Sequence, residues 1–139
     1  MHEPLEGIAA ADARLGRPFP LPAAPLPLAR WVEVMECGPG AEVAWNLDDT
    51  RPGAPGRLAL YAGTEPPPER DLPEGGPVEV RGAIAWREAP LPEAQPALRP
   101  VKELTWTAGG LHLRLTAQGP WDDAALTAIV ASIPIGSPA

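Results

Sequence analysis

The sequence predicts an α+β fold: a curved antiparallel sheet of about six strands, with a C-terminal helix and a short N-terminal helix packed on one face. Three observations predict it. Runs of alternating apolar and polar residues recur between residues 31 and 116, and clusters of glycine and proline separate them. A stripe of helical period closes the chain. The 139 residues suit one domain with a real core. Residues 1–30 form a helix and a proline-rich extended segment, 31–118 the sheet and 121–133 the final helix.

Residues 4–15 (PLEGIAAADARL) place Leu5, Ile8, Ala9, Asp12 and Leu15 near helical spacing, and Gly7 weakens the pattern. Residues 18–29 (PFPLPAAPLPLA) hold five prolines, which remove backbone donors, so the segment lies extended along the body. Strands follow at 31–37 (WVEVMEC) and 42–48 (EVAWNLD), the latter with Val43, Trp45 and Leu47 on one face. At 57–62 (RLALYA), Leu58, Leu60 and Ala62 oppose Arg57, Ala59 and Tyr61. Residues 78–87 (VEVRGAIAWR) read as one strand, with Val78, Val80, Ile84 and Trp86 opposite Glu79, Arg81 and Arg87. Gly82 sits mid-run, where it allows a bend or close helix packing.

In residues 103–115 (ELTWTAGGLHLRL), a two-residue turn at Gly109-Gly110 sets Trp106 against Leu113 and Leu104 against Leu115. All four fall on one face, so turn chemistry and hydrophobic pattern select the same register. This stretch is scaffold. In the last helix Asp122 and Asp123 favour the positive N-terminal turn. Leu126, Ile129, Val130 and Ile133 make the stripe, and Pro134 ends it. The loops at 49–56, 64–77 and 88–100 are stiff, proline-rich surface connections.

The stretch LTWTAGGLHLRLTAQGPWDDAALTAIVASI (104–133) resembles the C-terminal signature of a bacterial family of domains of unknown function, at Trp106, Gly110, Leu113, Leu115, Leu126, Ile129 and Ser132. The segment PFPLPAAPLPLARWVEV is similar to that family's proline-containing entry strand. Members often form the extracytoplasmic part of anti-sigma-factor-like and lipoprotein-like membrane proteins. The resemblance implies an antiparallel sheet backed by helices and a sensing or binding role.

Eleven basic against eighteen acidic residues leave a charge of −7, which repels phosphate backbones, so nucleic acid is not an expected partner. Ten of the eleven basic residues are Arg, which with the many Ala, Pro and Gly suits a GC-rich genome. No apolar run is long enough for a membrane helix, and MHEPLEGIAA lacks the basic, then apolar, start of a secretory signal. The expectation is a cytoplasmic chain, or an extracytoplasmic fragment trimmed of its targeting segment.

Residues that carry chemistry are few. Cys37 is the lone cysteine, which leaves no disulfide and no cysteine-based zinc site. His2 lies at the terminus and His112 alternates with Arg114 and Thr116 on what reads as a solvated strand face, so no Cys-His-acid set forms. Cys37 reads better as a small hydrophobe at a strand end. Asp48-Asp49-Thr50 lacks the ladder and closing Glu of a calcium loop, and reads as a turn before Pro52-Gly53. Glu65, Glu69, Asp71 and Glu74 lie among prolines as a solubilising loop, and Gly75-Gly76 lacks a phosphate-loop context. No metal and no cofactor is expected.

Of five tryptophans, Trp45, Trp86 and Trp106 fall on apolar strand faces and pack the core, while Trp31 and Trp121 sit at element ends where they can line a groove. Ala44, Ala59, Ala83 and Ala85 make the outer sheet face flat, with Tyr61 its large ring. A second copy of the chain fits against that face or the adjacent strand edge. The contact residues expected for a ligand or partner are therefore Trp31, Trp121, Tyr61 and Ala59. The leading function is a non-catalytic binding or protein-interaction domain, to which the resemblance adds a regulatory role. The alternative is a carrier of a small apolar ligand between the tryptophan-rich sheet face and the helix. An enzyme is the weakest reading, because no nucleophile, base or metal set assembles.

Overall fold

A computed structural model describes residues 2–4, 7–23, 31–46, 56–68, 78–89, 101–118 and 121–134. The architecture is the predicted α+β. The strands are β1 (His2–Pro4), β2 (Trp31–Cys37), β3 (Gly40–Asn46), β4 (Arg57–Gly63), β5 (Glu79–Arg81), β6 (Ile84–Ala89), β7 (Val101–Ala108) and β8 (Leu111–Gln118). The helices are α1 (Ile8–Leu15) and α2 (Asp123–Ala131). Among the described residues one antiparallel sheet runs in the order β1-β2-β3-β4-β8-β7-β6-β5, with β1 and β5 at its edges.

Among the described residues there are eight strands where about six are expected, for two local reasons. Residues 2–4, ahead of the helix, pair with β2 in the register His2↔Cys37. The predicted single strand over 78–87 is instead a tight hairpin, because Gly82 takes a φ of 63° and turns the chain back. Arg81 then pairs with Ile84, Val80 with Ala85 and Glu79 with Trp86. The turn reverses the alternation expected across it. Glu79 and Arg81 share a face with Trp86, and Val80 points to the other side.

The hairpin of 103–115 has the predicted register, Trp106↔Leu113 and Leu104↔Leu115, closed by Gly109 and Gly110 at φ values of 59° and 79°. From this hairpin one face can be followed across the sheet. Leu104 meets Leu115, Leu115 meets Leu60, Leu60 meets Val43 and Val43 meets Val34. These residues join Ala11 and Leu15 of α1, Phe19, Trp86, and Trp121, Leu126, Ile129 and Ile133 at α2 in a single buried cluster. Trp45 and Trp106 pack against it half-buried.

The helices cover opposite ends of this face. Arg14 donates through Nε to the Gly40 carbonyl at 2.7 Å and through Nη2 to that of Gly38, tying α1 to the β2–β3 turn. Arg17 reaches the Gly109 carbonyl of the β7–β8 turn at 2.7 Å. The Phe19 amide donates to Asp12 Oδ1 at 2.7 Å, which bends the chain back after Gly16 ends α1. Residues 18–23 then run without regular structure, with the Leu21 amide bonded to the Phe19 carbonyl at 2.9 Å and the Ala23 amide to the Ser132 carbonyl at 3.1 Å. Residues 24–29 lie outside the described residues. At the other end, Asp122 caps α2 by accepting from the Ala124 amide at 3.3 Å. Among the described residues no helix is long and apolar enough to cross a membrane.

Candidate functional site

The second sheet face departs most from expectation. Ala44, Ala59 and Tyr61 are 1%, 0% and 0% exposed, and Glu42, Arg114 and Thr116 are equally buried. Over β3, β4 and β8 the expected open face of Ala44 and Ala59 and the solvated face around Arg114 and Thr116 are therefore buried, whereas at the β5–β6 end Ala83 is exposed and Ala85 half-buried. Over part of this face lies the chain after β4, which folds back over Tyr61 and Arg114. Tyr61 Oη donates to the Glu65 carbonyl at 2.8 Å, and Arg114 Nη1 donates to the Pro68 carbonyl at 2.7 Å. Pro68 also seats against Gly38, where a β-carbon would overlap the proline ring. The stiff proline segment runs along the surface over 64–68, as the sequence suggests, and there it also covers Tyr61 and Arg114.

Beneath it lies a small polar cluster. Arg114 Nη2 is 3.6 Å from Glu42 Oε2, with both side chains almost wholly buried, and its guanidinium carbon stands 5.8 Å from the centre of the Tyr61 ring. Burial pushes the Tyr61 phenol up to about 12, with the nearby Cys37 adding to the effect. Tyr61 therefore holds its proton and acts as a donor. Cys37 is itself fully buried at the end of β2, as befits a small strand-end hydrophobe.

The charged cluster open to solvent is at the opposite edge of the sheet, and the Gly82 turn creates it. With Glu79 and Arg81 rotated onto the face of Trp86, the Arg81 guanidinium stacks over the indole at 4.1 Å. The same guanidinium engages Glu79 at 3.1 and 3.2 Å through two nitrogens, and Asp123 Oδ2 at 3.0 Å. Lys102 Nζ completes the set, donating to Asp123 Oδ1 at 2.6 Å and to the Trp121 carbonyl at 2.9 Å. Hydrogen bonds from Lys102 and then Arg81 hold the Asp123 carboxyl below the usual carboxylate range. Together with Arg87 and Glu88 these residues line a recess of about 200 Å³.

At the centre of the recess an incoming ion would compete with partners already in place. Arg81 is matched by Glu79 and Asp123, and Lys102 by Asp123. The cluster works as a clamp that fixes the β5–β6 hairpin to the first turn of α2. On the other face of β5 stands Val80, 70% exposed, and Val78, just before the strand, is 60% exposed.

The residues expected at a ligand or partner contact do not come together. Trp121 is 6% exposed, packed in the core with its indole Nε1–H donating to the Gln118 carbonyl at 3.0 Å, so it lines no open groove. Tyr61 and Ala59 are fully buried on the face opposite the core, Tyr61 beneath the segment 64–68. Trp31 starts β2 opposite Asn46, with its side chain outside the described residues. The Asp48-Asp49 turn, Glu69, Asp71, Glu74 and Gly75-Gly76 also lie outside them. Among the described residues no three of His, Cys, Asp and Glu converge as metal ligands.

Sequence reasoning missed the Glu79–Arg81–Lys102–Asp123 clamp because it read 78–87 as a continuous strand. The signal was present in Arg-Gly-Ala, a glycine at the first position of a two-residue turn. No protein-family model, curated protein or solved structure matches the chain.

Proposed function

We propose that this chain is a non-catalytic interaction domain whose contact surface is the β5–β6 end of the sheet. The observation that carries the reading is the pair of outward valines, Val78 and Val80, on a hairpin held rigid by charged contacts. Apolar side chains presented on a fixed strand with a polar rim are what an association surface requires. The reactive groups elsewhere support the same reading. Cys37 and Tyr61 are fully buried, and Glu79, Arg81, Lys102 and Asp123 of the recess are engaged with one another.

The resemblance of 104–133 to extracytoplasmic regulatory domains belongs to this proposal, as the kind of setting in which such a surface serves. The carrier reading draws no support from the described residues. Between the sheet and α2, Trp86, Leu104, Trp121, Leu126 and Ile129 pack against one another in the core. The test is recovery of proteins from native lysate on immobilised chain, comparing the wild type with a Val78→Ser/Val80→Ser variant. Proteins held by the wild type and lost from the variant are the expected result. Equal recovery on both would move the surface elsewhere.

A further inference from the structure

We propose that β5 is a self-pairing edge, at which a second copy of this chain adds antiparallel about Val80 and continues the sheet across a twofold axis. The proposal rests on the interaction reading and names its partner. It follows from backbone direction first. Arg81 and Ile84 flank a two-residue turn, so they form a hydrogen-bonded pair of the hairpin, and Glu79 with Trp86 forms the next. Val80 alternates with them. Its N–H and C=O therefore point away from β6, out of the last strand of the sheet. A second β5 placed there forms a reciprocal pair of bonds, Val80 to Val80, and brings the two 70%-exposed side chains together on one face.

Charge then selects the register. Centred on Val80, an antiparallel pair sets Glu79 of each copy opposite Arg81 of the other, so both cross-strand positions are attractive. Antiparallel pairing also permits slips of two residues in the pairing sum. One slip sets Glu79 opposite Glu79, and the other sets Arg81 opposite Arg81. Both place like charges face to face, so the favoured register is also the one its nearest competitors cannot match. Within one chain Arg81 already engages Glu79, but the side chains are 40% and 65% exposed. Exchanging that bridge for the same bridge between copies removes little from water.

A strand of three residues makes a small interface, of the class below about 1,200 Å² that associates weakly. The net charge of −7 on each chain also opposes pairing, though screening over about 8 Å at physiological salt limits this. The dimer is therefore expected to populate at about 100 μM and above rather than at nanomolar concentration.

The experiment is sedimentation velocity on the purified chain between about 10 and 500 μM, a span that brackets the weak-association range. The wild type is expected to shift from monomer towards dimer. Glu79→Arg and Arg81→Glu, each alone, place like charges at both cross-strand positions and are expected to stay monomeric. An equimolar mixture of these two variants restores opposite charges at both positions and is expected to form a heterodimer. Val80→Pro removes the outward N–H without touching a bond to β6, and is expected to abolish pairing. Thermal melts of each variant establish that the fold persists.

A wild type that stays monomeric to 500 μM overturns the proposal, as do single variants that associate like the wild type. If a monomeric wild type still recovers lysate proteins through Val78 and Val80, the second copy is wrong and the interaction reading stands. If it recovers none, both fall.

Discussion

Arg114 decides more than its place on a strand suggests. Its guanidinium neutralises Glu42, faces the Tyr61 ring and holds the Pro68 carbonyl, so it joins three segments under one cover. Arg114→Ala is expected to destabilise the fold by about 3–5 kcal/mol in urea unfolding, because a carboxylate stays buried without its guanidinium. Replacing both partners, as Glu42→Leu/Arg114→Met, should recover most of that loss. A double variant as unstable as the single one would show that the cost lies elsewhere. Tyr61 gives a pH signature. Its folded value near 12 lies above the ordinary 10, so the unfolded chain loses the phenolic proton first. Stability is complete below pH 10 and declines as pH rises towards 12, by roughly 2–3 kcal/mol at full effect. In Tyr61→Phe that decline should be absent, although the lost bond to Glu65 costs about 1 kcal/mol at every pH.

At the scale of elements, glycines set the sheet, for two different physical reasons. Gly110 lies in open space, and a side chain there meets nothing within 4 Å, so only its φ of 79° matters. Gly110→Val should cost about 1–3 kcal/mol through backbone strain alone, read as a lower melting temperature. An unchanged melt would mean the turn tolerates the substitution and does not set the register. Gly40 and Gly63 instead make room. A β-carbon at either would overlap the Tyr61 side chain. The hairpin of β7 and β8 was legible because its turn and its pattern are both local. The β5–β6 hairpin was not read, because apolar residues at 78, 80, 84 and 86 mimic a single alternating strand. A two-residue turn preserves the parity of the count but exchanges the faces, which periodicity alone does not register.

Across the whole molecule, α1 and α2 cover opposite ends of one face while residues 64–68 cover part of the other. The clamp of Asp123 with Lys102 and Arg81 joins the last helix to the far edge of the sheet. The depressed Asp123 carboxyl contributes stability that is present above its ordinary value near 3.8 and is lost as pH falls through the lower folded one. Asp123 is 46% exposed, so solvent screening keeps the effect to about 0.5–1 kcal/mol. Asp123→Asn should remove that part of the acid transition and leave the alkaline one, set by Tyr61, unchanged. Identical acid transitions for both chains would show that the clamp adds nothing to stability. The same scale explains why the candidate site was hard to read. Its residues come from β5, β6, β7 and α2, and only the paired register of the sheet brings Arg81 to Asp123.

The sequence by itself determined the α+β class, the alternating strands, the 109–110 turn with its register and the closing helix. Each of these follows from interactions among residues close in the chain: side-chain period, positive-φ glycine and charge at a helix start. Tertiary structure alone decided which faces are covered. Ala59 and Tyr61 alternate as an outer face should, and nothing within their own strand tells whether water or another segment lies above them. Burial of Tyr61 depends on where the chain travels after β4, and that path carries the Pro68 carbonyl to which Arg114, 46 residues further along, donates.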